Sequence, residues 1–144
     1  MAVLAGLLVF ESALAYPDYL AFFNIPAGGS EAGPEYLADS NSDWGQDLKK
    51  LKTYMEANGI AEVCFSYFGA SDPEYYGIQR RHLPISSEKE AIRELDCVAA
   101  VSATHLVGLY TEPGNYSWLR RREPDARIGY TIYVYDLRKT PVPK

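Results

Sequence analysis

Hydrophobic positions are spread unevenly along the chain. From Ala2 to Phe10 they run almost unbroken, and Leu14, Tyr19, Leu20 and Phe23 continue the apolar series. This predicts an apolar N-terminal helix. Pro17 and the restricted Tyr16 before it should break or kink it near 16–17. Asp18 is then placed to cap a short helix reaching about Asn24. The segment 27–34 holds three glycines and a proline and reads as a loop. A short strand is expected at Tyr36–Ala38. Trp44, Leu48, Leu51 and Met55 recur at spacings of three and four, so a helix is predicted over Trp44–Ala57. Asp43 and Gln46 would form a capping-box analogue at its start, and Asn58-Gly59 would end it.

Glu62–Phe68 is a β-branched and aromatic strand, closed by Gly69–Pro73. Ser87–Leu95 reads as a second helix with acidic residues in its first turn. Cys97–Leu109 is nearly all apolar, the pattern of a strand covered on both faces. Tyr116–Arg122 suits a short helix, and Ile128–Leu137 alternates as a strand. Strands and helices thus take turns. The expectation is an α/β fold: a single small, mostly parallel sheet of about four strands flanked by helices, with the apolar N-terminal helix ahead of it. The chain divides into an N-terminal helical segment (1–24), an α/β domain (25–139) and a loose tail (140–144). In such sheets ligands bind beyond the carboxyl ends of the strands. Here those ends carry 39–47, 69–77 and Thr104-His105.

Composition narrows the choices. A chain of 144 residues is enough for one domain with its own core. The formal charge is −5, which argues against nucleic acid as a partner. No run of 18 apolar residues exists, so the chain contains no complete membrane span. Met1–Ala15 has the core length of a signal peptide but no basic residue before it, and Glu11 interrupts it. It fits better as a helix lying on a hydrophobic surface or continuing a span. Cys64 and Cys97 sit in apolar runs and read as two buried free thiols. A single bridge is the alternative in an oxidising compartment. Twelve tyrosines are unusually many and suit strands or wet, sugar- or protein-binding surfaces.

Four clusters carry candidate chemistry. Asp39, Asn41, Asp43 and Asp47 alternate as in calcium loops, but the required glycine is displaced to Gly45 and Lys50 stands where the last carboxylate belongs. The better reading is an Asx-rich turn that caps the following helix; polar recognition of a hydroxylated ligand is the alternative. Asp72, Tyr75 and Tyr76 form an acidic, aromatic loop. It suits stacking on sugar rings, or is a solvated loop with one tyrosine packed inward. His105 follows an apolar strand and has no nucleophile identifiable by spacing, and His82 beside Arg80 and Arg81 should be exposed. Arg120-Arg121-Arg122 suits phosphate or lipid headgroups, or is a solvated helix face. A hydrolytic Asp43–Asp72 pair is a weak reading, because nothing in the sequence sets the separation that chemistry needs. No cofactor and no metal is implied.

Several segments resemble a known group. "YPDYLAFFNIPAGG", "YLADSNSDWGQDLKKL", "EVCFSYFGASDPEYYGI", "SATHLVGLY" and "WLRRREPDARIGYTIYVYDL" are similar, in this order, to the C-terminal extramembrane region of prokaryotic integral-membrane glycosyltransferases. These are akin to the dolichyl-phosphate-mannose–protein mannosyltransferase superfamily, with the GT-C architecture. The similarity covers nearly all of 16–137, and "DSNSDWGQD" is its most specific element. It implies an accessory domain on the extracytoplasmic side, associated with the membrane portion of the same enzyme. The implied substrates are a polyprenyl-phosphate-linked sugar donor and a glycan, lipid or protein acceptor. The family's catalytic acid lies in an early loop between membrane helices, which has no counterpart here. No residue is therefore carried over as catalytic, the chain alone is expected to be inactive, and it looks like part of a larger enzyme. The expected functional face comprises Asp39, Asn41, Asp43, Trp44, Gln46 and Asp47 with Asp72, Tyr75 and Tyr76, and His105 as a further binding residue. The alternative is an independent soluble α/β module that binds glycan or protein.

Overall fold

The computed structural model describes residues 2–37, 43–84, 95–112 and 114–139. Helix α1 (Ala2–Leu14) comes first, followed by a 3-10 turn at Tyr19–Ala21. The helix stops before the cis Tyr16-Pro17 bond, at the break the sequence predicts. Asp18 occupies the cap position of the turn, but its side chain makes no capping bond. It reaches Lys50 instead.

The segment expected as a loop is helical. Asn24 Oδ1 accepts from Ala27 N (3.0 Å) and caps a 3-10 turn at Ile25–Ala27. Helix α2 (Gly29–Tyr36) follows, with Pro34 inside it. A β-carbon on Gly33 would lie 2.6 Å from the Phe23 ring, so that ring lies over the helix backbone there. Tertiary contact of this kind overrides the breaker residues, and within so short a helix Pro34 forfeits only one backbone bond. Because α2 absorbs Tyr36, no strand forms at 36–37, and Ala38 lies outside the described residues.

Helix α3 (Leu48–Ala57) begins one turn later than its apolar period suggests. Gly45 has φ +82°, which a right-handed helix excludes, and Trp44 N is taken by Gln46 Oε1 (2.8 Å). The expected capping box is therefore absent.

One five-stranded sheet forms the centre, in the order β2-β1-β3-β5-β4. Its strands are β1 (Val63–Ser66), β2 (Arg80–His82), β3 (Val98–Ser102), β4 (Ala126–Ile128) and β5 (Ile132–Asp136). β2, β1 and β3 run parallel, while β5 pairs antiparallel with both β3 and β4. The fold is thus α/β with a single mixed sheet, and two of the expected strands are subdivided. Cys97–Leu109 becomes β3 followed by a turn of helix, α4 (Ala103–Leu106). An unbroken apolar run cannot tell strand from buried helix by its period. Ile128–Leu137 lies within a hairpin that turns at Gly129, φ +57°. β2 gave no apolar signal because all three of its residues are exposed and basic, as suits an edge strand. Helix α5 (Ser117–Arg120) falls inside its expected range. Most of the predicted helix Ser87–Leu95 lies outside the described residues, as do Thr140–Lys144, and Leu95 itself is buried outside any helix.

Alternation along the strands fills both faces. On one face Leu48, Leu51 and Met55 of α3 pack against Val63, Phe65, Val98, Ala100, Ile132 and Val134. On the other, Ala99, Val101, Tyr133 and Tyr135 meet Leu106, Trp118 and Leu119. Cys64 and Cys97 belong to this second face and are joined in a disulfide, with Cα atoms 6.1 Å apart. This corrects the expectation of free thiols. Parallel pairing of β1 with β3 sets Cys64 opposite Ala99, one strand repeat from Cys97.

Among the described residues no helix is long and apolar enough to cross a membrane. α1 nevertheless leaves Val3, Leu4, Leu7, Leu8, Val9, Phe10 and Leu14 exposed, so its apolar side chains point in all directions rather than onto the core.

Candidate functional site

Two loops meet beyond the carboxyl end of β1. One is 43–47, leading into α3, and the other is 67–77. They touch at Gly45 and Gly69. A β-carbon on Gly69 would sit 2.9 Å from Gly45 N, and one on Gly45 would sit 1.6 Å from Tyr67 Oη. No side chain larger than hydrogen fits at either position.

Asp43 is fully buried beneath this contact. Its Oδ1 accepts from Gly45 N (3.1 Å), closing an Asx turn, while Oδ2 has no hydrogen-bond partner among the described residues. Burial pushes the Asp43 carboxyl up to about 7; the Gly45 N–H works against the shift and the charge of Asp47 adds to it. Burial, with the charge of Asp43 behind it, pushes the Tyr67 phenol up to about 12.

Asp47 is buried too, at 1% exposure, and is held by one hydroxyl and one ion pair. Thr131 Oγ1 donates to its Oδ2 (2.8 Å), and Lys50 Nζ lies 3.1 Å from its Oδ1. Lys50 also pairs with Asp18. Burial opposes the Lys50 charge, yet the two carboxylates more than offset it and the ammonium is held above its usual range. A small cleft beside this ion pair is lined by Pro17, Asp18, Leu20, Gln46, Asp47 and Lys50. The N-terminal segment is thereby tied to the start of α3.

Trp44 projects from the same loop, 52% exposed. On the second loop, Asp72 Oδ1 accepts from Glu74 N (2.9 Å) and caps the 3-10 turn Pro73–Tyr76. Tyr75 is 84% exposed, and its ring meets Tyr76 edge-on at 5.3 Å. Tyr76 packs inward against the α3-side core and lies near enough to Tyr67 to bear on its phenol. The arrangement offers aromatic faces and a carboxylate at the surface, over a buried acidic floor.

The structure therefore brings Asp43, Trp44, Gln46 and Asp47 together with the loop of Asp72, Tyr75 and Tyr76. Asp39 and Asn41 lie outside the described residues. His105 stands apart from this group. It sits on the opposite face of the sheet, where Ser66 Oγ and His105 Nδ1 are 2.9 Å apart and Phe68 meets its ring edge-on. Burial lowers the His105 pKa. The Asp47 carboxylate is buried and braces the fold through Thr131 and Lys50. Asp43 and Asp72 likewise do not form an exposed pair. Among the described residues no group of three His, Cys, Asp or Glu could hold a metal ion.

Tyr67 and Thr131 have no part in the sequence reading, and Asp18 and Lys50 enter it only as a helix cap and as a misfit in a calcium-loop pattern. The Asp47–Lys50 spacing of three was a usable signal. Thr131, 84 positions away, left none.

Comparison with protein-family models, curated proteins and solved structures finds no match for the chain.

Proposed function

We propose that the chain is an accessory extracytoplasmic domain of a membrane glycosyltransferase that uses a polyprenyl-phosphate-sugar donor. Its part is to hold a hydroxyl-rich acceptor on the surface made by loops 43–47 and 69–77. The observation that carries this reading is the Gly45–Gly69 contact, which joins the two loops that carry Trp44 and Tyr75. Exposed rings beside a carboxylate are the groups that recognise sugars, because ring faces stack on sugar C–H surfaces and carboxylates accept hydroxyl protons. Two further features support the setting. A disulfide is at home on the oxidising side of a membrane. Helix α1, apolar all round and exposed, suits a hydrophobic surround such as the membrane portion of the enzyme.

The test uses Trp44 as its own reporter, since Trp118 is buried and supplies a constant background. Titration with soluble oligosaccharides should shift Trp44 fluorescence saturably. Tyr75→Ala and Asp72→Ala should weaken that binding about tenfold each. No saturable response across neutral and amino sugars would overturn acceptor binding. Unchanged transfer by the intact enzyme after deletion of the domain would overturn the accessory role.

A further inference from the structure

A cleft lies on the other face of the sheet from the surface above. It encloses about 420 Å³, which suits a small organic ligand. Its charged lining is Arg120, Arg122 and Arg127 against Glu123 alone. A local excess of two positive charges is notable in a chain whose formal charge is −5.

The arginines come from two directions. Arg120 closes α5, Arg122 follows it, and Arg127 stands on β4. Two of them are shelved on aromatic faces. The Arg127 guanidinium lies over the Tyr133 ring at 5.1 Å, and that of Arg122 over Trp118 at 6.0 Å. Stacking of this kind restrains a guanidinium while leaving its in-plane N–H edge available to an oxyanion. Among the described residues none of the ion pairs engages Arg120 or Arg127. Tyr135 lines the same cleft, and Arg127, Arg122 and the opposing Glu123 all bear on its phenol. Leu106 and Val107 add an apolar wall.

We propose that this cleft binds an organic phosphate, with the arginines forking onto the phosphate oxygens and the tyrosines and apolar wall receiving the organic part. Planar guanidinium forks match tetrahedral oxyanions two bonds at a time, so several arginines favour phosphate over a lone carboxylate. A phosphoester in solution and a phospholipid headgroup share this chemistry. The site is separate from the proposed acceptor surface and does not depend on it.

The experiment titrates the full chain with inorganic phosphate and glycerol 3-phosphate by NMR, with glycerol as the neutral control. In parallel, flotation is measured with phosphatidylglycerol and phosphatidylcholine vesicles. Saturable binding of the phosphates but not of glycerol is expected, weakening as salt rises. An Arg120→Gln/Arg127→Gln double variant should lose at least about tenfold in affinity, and Arg127→Lys should recover only part of the Arg127→Gln loss. Both side chains are exposed, and a matching unfolding midpoint shows that the variants still fold. Binding of glycerol 3-phosphate with no vesicle preference assigns a soluble ligand. Flotation on phosphatidylglycerol in excess of that on phosphatidylcholine, with the excess lost in the double variant, assigns a headgroup. Absence of both phosphate binding and a phosphatidylglycerol excess, or wild-type affinity in the double variant, overturns the proposal.

Discussion

Thr131 donates a 2.8 Å hydrogen bond to the buried carboxylate of Asp47, 84 positions earlier in the chain. The bond fastens the first turn of α3 to the β4–β5 turn, and Lys50 supplies the counter-charge from the other side. Thr131→Val would leave Asp47 Oδ2 buried without a donor, and should cost about 1–3 kcal/mol in denaturant unfolding. Thr131→Ser keeps the donor and should cost less. Gly129→Ala should be worse than either, because its β-carbon would lie 2.1–2.2 Å from the Asp47 carboxylate at a φ of +57°. Wild-type stability in Thr131→Val would show that the bond contributes nothing net.

Asp43 makes stability depend on pH in the direction opposite to most carboxylates. Its folded value is about 7 against 3.8 when exposed, so between those limits the folded state holds a proton that the unfolded chain releases. Stability from this group is complete below pH about 4, falls as pH rises toward 7, and is level above that. Each pH unit is worth about 1.4 kcal/mol, so the loss is at most about 4 kcal/mol. Half-buried His105 works in the other sense below its usual 6.5, since charging it costs stability. The comparison to make is therefore wild type against Asp43→Asn. Their difference should grow in favour of the variant between about pH 4 and 7 and stay level above that, and parallel profiles would refute the assignment.

The Cys64–Cys97 bridge closes a segment with a sequence separation of 33, across two adjacent parallel strands. A loop of that length predicts a loss of about 3–4 kcal/mol on reduction or in a Cys64→Ala/Cys97→Ala pair. Thiol titration of the unfolded, unreduced chain should find no free thiol. Two free thiols together with an unchanged unfolding midpoint after reductant would rule the bridge out.

Helix α1 makes few ties to the sheet, although Glu11 Oε1 accepts from Ile25 N (3.3 Å). Removing residues 2–14 should leave sheet stability within about 1 kcal/mol, while abolishing flotation with neutral vesicles. Retained flotation would place the apolar contact elsewhere on the chain.

Much of the sheet was legible in the sequence. β1, β3 and β5 announce themselves because each is buried on both faces and is therefore largely apolar along its length. α3 announces itself through Leu48, Leu51 and Met55 on one face. β2 was illegible for the converse reason: Arg80, Arg81 and His82 sit at an exposed edge and carry no hydrophobic period. The α2 segment misled because Gly and Pro statistics are local, while the Phe23 ring over Gly33 is not.

The same division holds for the site. Sequence by itself determined which loops are polar, aromatic and acidic, and that 69–77 belongs beyond a strand end, since side-chain chemistry and period are properties of neighbours in the chain; the strand expected ahead of 39–47 does not form among the described residues. Tertiary structure decided what each group is for. The approach of Gly45 to Gly69 unites the two loops; burial turns Asp43 from a surface carboxylate into one with a pKa near neutrality; and Thr131 with Lys50 makes Asp47 a brace. It also moved His105 to the opposite face and gathered three arginines into one cleft. Burial, pairing and charge convergence depend on distances between residues far apart in sequence, and only the folded chain sets those distances.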